Sequence, residues 1–155
     1  MLTDSLFSCT KNISDEVFSL ETPVFGYEFN DTNAPMLFLP PVSFPYGASH
    51  TDELQFLFTI NGQASKLSSS EQTLATTMKS YWTNFANNGD PNSRGVPNWA
   101  RFALLADNDQ SLVAPTPSAE TNIAQVHHCN FWIGVLVQTV LGDIASQLSA
   151  HGITQ

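Results

Sequence analysis

Among the side chains able to move a proton near neutral pH, His50 has the most suggestive setting. The sequence has four histidines, at 50, 127, 128 and 151. His50 closes a proline-rich stretch, lies three residues after Gly47, and precedes the apolar segment Leu54-Gln-Phe-Leu-Phe58. An imidazole, with its unperturbed pKa of about 6.5, can take a proton from a hydroxyl and return it to a leaving group. A lone histidine is more often structural, so the chemistry needs partners. The nucleophile is missing: no Gly-x-Ser-x-Gly occurs in the sequence. Ser49 adjoins His50, but neighbours on an extended chain point opposite ways. Cys9 and Cys129 lack the local signatures of thiol enzymes. His127-His128-Cys129 offers adjacent donors whose side chains diverge. His50-Thr-Asp-Glu53 has one histidine and the wrong spacing for a helical zinc motif. With no glycine-rich phosphate loop either, no metal and no cofactor are expected.

The elements that must hold His50 follow from period and punctuation. Residues 1–22 read as a weak helix, with Thr3 and Ser14 as candidate caps. In Val24-Phe-Gly-Tyr-Glu-Phe29, the aromatics Phe25, Tyr27 and Phe29 alternate onto one face, the period of a strand. Residues 30–49 carry Pro35, Pro40, Pro41 and Pro45, and proline removes donors and fixes φ, so a long stiff loop is expected. A short helix or turn follows over 51–58. Ser68 and Glu71 form a capping-box pattern ahead of Leu74, Met78, Tyr81, Trp82 and Phe85 at helical spacing. Asn88-Gly89 and Pro91 then end that helix. Residues 90–120 read as loop with one short strand near 111–114. From Phe131 a further helix carries Ile133, Leu136, Val137, Val140, Leu141, Ile144 and Leu148, expected to dock as a tail. A membrane-surface or partner-binding role is the alternative, although the basic polar face of a membrane-surface helix is lacking.

Composition narrows the partners. The 155 residues suffice for one domain with a core. Apolar residues make up 42% and charged residues only 12%, so the chain reads as folded and weakly charged. Five scattered basic residues and a net charge of -9 leave no surface for a phosphate backbone, which argues against nucleic acid. The longest apolar run, Phe131 to Val137, falls short of the ~20 residues a bilayer needs, so no membrane span is expected. Met1-Leu-Thr-Asp-Ser-Leu6 lacks a basic start and a long apolar segment, so no signal peptide is expected. Cys9 and Cys129 could bridge or remain two buried thiols.

Gly47-Ala-Ser-His-Thr-Asp-Glu-Leu-Gln-Phe-Leu-Phe58 closely resembles the histidine segment of type-B carboxylesterases, the cholinesterase-like α/β-hydrolases. Three more segments resemble that family in its order: Pro23-Val-Phe-Gly-Tyr-Glu-Phe29, Trp82-Thr-Asn-Phe-Ala-Asn-Asn-Gly-Asp-Pro-Asn92, and Cys129-Asn-Phe-Trp132. The loop Asn33-Ala-Pro-Met-Leu-Phe-Leu-Pro-Pro41 looks most like bacterial members. One departure is Ala100, where the family often has proline after the tryptophan matched by Trp99.

The resemblance implies an α/β fold class: the C-terminal portion of an α/β-hydrolase over residues 1–132, followed by a helical extension over 133–155. It implies that His50 is the general acid and base toward a serine in preceding polypeptide. Glu53 would then be supporting, since the family's triad acid lies far upstream of the histidine. It implies a Cys9–Cys129 disulfide and hence an oxidising compartment, with a secreted or periplasmic parent protein. The expected partners are a small neutral or cationic ester and the N-terminal part of the hydrolase domain. Without that part the chain should be inactive and poorly soluble. The alternative is a cholinesterase-like adhesion protein that keeps the fold and has lost the triad.

Overall fold

The computed structural model describes residues 3–150, apart from 61, 63–65 and 105, with backbone alone at 148 and 149. Leu148 of the expected apolar stripe and His151 therefore lie outside the described side chains.

A π-helical turn, Asp4–Ser8, runs unbroken into α1, Cys9–Ser19. Neither expected cap is used there. Thr3 is itself helical and makes no capping bond. Ser14 sits inside α1 and donates to the Thr10 carbonyl at 2.9 Å. The expected strand forms as β1, Tyr27–Phe29, and the proline-rich segment after it contains no helix or strand. Next come a short α2, Leu54–Leu57, and the long α3, Ser69–Asn88. The capping box at the start of α3 is complete, because Glu71 N–H donates to Ser68 and the Glu71 carboxylate accepts from the Ser68 N–H. Gly89 ends the helix at φ 77°, a left-handed conformation that glycine adopts without steric penalty.

Residues 90–120 depart from the single short strand expected. β2, Asn108–Leu112, and β3, Ser118–Thr121, pair antiparallel, and β1 pairs parallel to β2 with Tyr27 opposite Gln110. The sheet order is β1-β2-β3, which leaves β1 at an edge. α4, Ile123–Val126, and α5, Cys129–Ala150, complete the chain.

The core forms where α3 packs over the sheet. Phe56, Leu74, Met78, Tyr81, Trp99 and Leu112 are buried together. Trp99 is the hub, with ring centroids 5.0 Å from Tyr81 and 5.9 Å from both Tyr27 and Trp82. Its indole N–H donates to the Gly26 carbonyl at 2.9 Å. Asn92 fixes the Trp99 backbone at both polar groups: its Oδ1 accepts from the Trp99 N–H at 2.7 Å and its Nδ2 donates to the carbonyl at 2.9 Å. A buried indole needs such a partner, and bidentate fixing of the backbone removes freedom the ring would otherwise keep. Burial pushes the Tyr81 hydroxyl up to about 12, and it donates to the Pro97 carbonyl at 2.8 Å.

Cys9 and Cys129 form a disulfide with S–S 2.07 Å and Cα–Cα 5.2 Å, joining the start of α1 to the start of α5. Of the two states open to these cysteines, the bridged one is realised.

α5 docks at its start, where Cys129 is buried and bridged to Cys9, and not along the rest of its length. Phe131, Val135, Leu136, Val137, Val140, Leu141 and Ile144 are 42–61% exposed. Over Cys129–Gln147 the helix is long and apolar enough to cross a bilayer by length and composition, with 6% of that stretch buried. The expectation of no span rested on uninterrupted apolar runs. Gln138, Thr139 and Asp143 break the run without breaking the helix.

Candidate active site

The chain leaving β1 reaches His50 through a braced loop. The Asp31 carboxylate is buried and accepts from the Asn33 N–H at 3.1 Å, turning the chain out of the sheet. Tyr46 donates its hydroxyl to the Pro40 carbonyl at 2.5 Å, closing the loop on itself. Gly47 then takes φ 73°, which lets the chain reverse ahead of the histidine.

Asp52 sets the histidine turn, and it is the residue the sequence reading missed. Its carboxylate is fully buried and accepts from both the Ser49 N–H at 3.0 Å and the Ser49 hydroxyl at 2.7 Å. The Asp52 N–H donates back to the Ser49 carbonyl at 3.1 Å. His50 and Thr51 are the two residues enclosed, and Thr51 sits at φ 81°. A Ser-x-x-Asp pattern just ahead of an apolar run is the signal that could have revealed it. The turn also explains Ser49, whose hydroxyl is committed to Asp52. Beyond the turn, Phe56 of α2 is fully buried and packs on Phe29 at 5.1 Å, so the histidine turn is tied to β1 through the core.

His50 is exposed. Its ring lies 5.0 Å from the ring of Phe7, and among the described residues it makes no hydrogen bond through either nitrogen. It lines an open cleft of about 770 Å³ together with Phe7, Lys11, Tyr27, Glu28 and Glu53. Glu53 stands at the start of α2 without making a capping bond, and its charge helps raise the Tyr27 hydroxyl after the larger effect of burial. A smaller apolar pocket of about 190 Å³, bordered by Phe25, Tyr27, Trp82, Phe85 and Trp99, also reaches β1. Two hollows thus meet at the strand that ends the sheet.

Polar contacts hold α1 against this wall. Lys11 pairs with Asp15 at 2.7 Å and with the buried Asp109. Burial pulls the Lys11 ammonium down, but the two carboxylates outweigh it and the net shift is upward. Burial, joined by the charges of Asp15 and Glu28, raises Asp109 overall although Lys11 draws it down. Gly26 faces this cluster, and an added Cβ would fall 2.1 Å from Asp109 Oδ1, so any larger residue would displace the carboxylate. Asn12 adds a 2.7 Å bond to Asp107.

His127 and Cys129 have separate partners, Cys129 being committed to the disulfide. His127 sits between two carboxylates, Nδ1 at 2.9 Å from Asp4 and Nε2 at 3.1 Å from Glu28. Burial pulls its pKa down, but the hydrogen bonds and charges of Asp4 and Glu28 raise it above the usual value overall. The same contact lowers Asp4. A histidine raised in the folded state stabilises the fold fully below its unfolded pKa of about 6.5, and the contribution is lost as pH rises through the folded value. Stability in urea should therefore fall as pH rises above about 6.5, by less than about 1 kcal/mol because solvent screens the clasp. In His127→Gln that slope should flatten. An unchanged slope in the variant would show that the clasp does not titrate there.

The profile described as the carboxylesterase family matches residues 1–132. Cocaine esterase of Homo sapiens is 30% identical over 142 residues, covering 90% of this chain and 24% of the human protein. Acylcarnitine hydrolase of Rattus norvegicus is 32% identical over 120 residues, covering 76% of this chain and 20% of the rat protein. Among solved structures, a carboxylesterase of Geobacillus stearothermophilus superposes with TM-score 0.52 at 21% identity, over 72% of this chain and 22% of that one. A PNB esterase gives TM-score 0.53 at 23% identity, over 71% of this chain and 22% of the other. These structures share the α/β-hydrolase fold. This chain spans between a fifth and a quarter of the length of the relatives named.

Proposed function

Because the chain belongs to the carboxylesterase family, we propose that it is the C-terminal portion of a serine carboxylester hydrolase, with His50 as general acid and base. The observation that carries this reading is the exposed imidazole on an open cleft whose wall includes the edge strand β1. Residues 1–132 form the hydrolase part and 133–155 an extension.

In the assembled enzyme a serine from the N-terminal part attacks the ester carbonyl while His50 takes its proton. His50 then returns that proton to the departing alcohol, and the cycle repeats with water to free the acid. The N-terminal part also supplies the acidic partner and the oxyanion hole. Glu53 supports the turn from the cleft side. The net charge of -9 suits small neutral or cationic esters. The disulfide suits an oxidising compartment, consistent with a secreted or periplasmic protein.

The test is turnover of p-nitrophenyl acetate by the isolated chain and by the chain joined to a serine-bearing N-terminal part. The isolated chain should show no rate above free imidazole, and the joined protein should turn over. An isolated-chain rate that disappears in His50→Ala would sink the reading. In the joined protein Asp52 acts as a positioning residue. Asp52→Ala should lower kcat by roughly 10- to 100-fold, since a displacement of about 1 Å costs that much, with KM nearly unchanged. Equal loss from kcat and folded fraction would instead mark Asp52 as purely structural.

A further inference from the structure

The exposed helix α5 has no role in the ester chemistry, and the family match ends three residues past its start, at residue 132. We propose that α5 crosses a lipid bilayer and holds the preceding domain at a membrane surface.

Length is the first reason. The stretch Cys129–Gln147 has 19 residues. With Cys129 buried in the domain and Phe131 and Trp132 at the headgroup level, the helix over 133–150 supplies about 27 Å at 1.5 Å per residue, against a hydrocarbon core of about 30 Å. Distribution is the second. A helix that docks on one protein surface buries one apolar stripe and shows a polar face elsewhere. Here exposed apolar side chains at 131, 135, 136, 137, 140, 141 and 144 go around the axis. The buried core helix of a soluble protein also passes a length-and-composition test, but only 6% of this stretch is buried.

Two of the hydroxyls are satisfied inside the helix, while Gln138 and Asp143 are the polar side chains a bilayer would have to accommodate. Thr139 donates its hydroxyl to the Val135 carbonyl at 2.9 Å, and Ser146 donates to the Asp143 carbonyl at 2.8 Å. Hydroxyls satisfied within the helix need no water, which lipid cannot supply. Phe131 and Trp132 stand at the domain end, the level at which aromatic rings, tryptophan above all, sit in the headgroup region. Asp143 is the single charged residue of the stretch and lies toward its far end. The helix itself carries no Lys or Arg, so it lacks the basic face by which a helix lies on an anionic surface. Spanning is the mode that remains for a lipid partner.

The test uses the full chain, synthesised in the presence of neutral phosphatidylcholine vesicles and then floated through a density gradient after an alkaline carbonate wash. The wild type should float and resist both the wash and high salt. Leu136→Asp combined with Val140→Asp should abolish flotation. Both positions are exposed, so the domain should still form its Cys9–Cys129 disulfide, read as a mobility difference on non-reducing gels. Three results would overturn the proposal: a wild type that stays soluble as monomer or dimer, flotation only on anionic vesicles and reversed by salt, or a double variant that floats as well as the wild type. Since no readout is enzymatic, these outcomes are independent of the esterase reading.

Discussion

In the joined hydrolase, His50→Ala should lower kcat for p-nitrophenyl acetate by roughly 10⁴-fold or more and leave KM within a few-fold. Removing the base leaves the serine hydroxyl with its proton, and that loss is felt in the transition state rather than on substrate binding. Tenfold in rate is about 1.4 kcal/mol, so about 5–6 kcal/mol of transition-state stabilisation disappears. The same substitution should change folding stability by no more than about 1 kcal/mol, because the ring is exposed and its one ring neighbour is Phe7. The two magnitudes separate a proton carrier from a packing residue. A His50→Ala protein that keeps more than a tenth of the wild-type rate would remove His50 from the mechanism.

Breaking the disulfide has the largest expected effect on stability. Cys9 and Cys129 are 120 residues apart in sequence. Closing so long a loop restricts the unfolded chain by about 4–5 kcal/mol on the chain-entropy model. A typical domain is stable by only about 5–15 kcal/mol. Cys9→Ser with Cys129→Ser should therefore leave the protein marginal, and reductant should do the same to the wild type. The loss should concentrate at α1. Its other tethers, Lys11 to Asp109 and Asn12 to Asp107, are polar contacts each worth far less than the crosslink. Urea unfolding followed by tryptophan emission gives the number, and partial proteolysis should cut first around α1. A midpoint shift equivalent to less than about 1 kcal/mol would mean that the tethers hold α1 unaided, contrary to the loop argument.

How far the sequence reached depends on the range of the signal. Ser68 and Glu71 met as expected because a capping box is complete within four residues. The histidine turn was located because Gly47, the prolines and the apolar run are all neighbours of His50. The Cys9–Cys129 pair was legible only through the likeness of whole segments to a known family, since spacing alone left two free thiols open. β2 was misread because Asn108, Asp109, Gln110 and Ser111 look like loop residues. Partners for Asn108, Asp109 and Ser111 decide otherwise. Asp109 meets Lys11 from α1, and Ser111 accepts from Asn30 at 2.8 Å, so polar side chains can be buried in that strand.

What the sequence determined by itself, then, is everything written in contiguous residues: the long helix and its caps, the strand ahead of the loop, and the imidazole set behind a glycine. What only the tertiary structure decided is the closure between distant segments. His127 gains its role from Asp4 and Glu28, 123 and 99 residues away, and α5 shows its exposed flanks beyond the first turn only once the domain has packed around its start. The physical reason is that periodicity reports which face of an element is apolar, while the contact that face finds is fixed by chain far away in sequence.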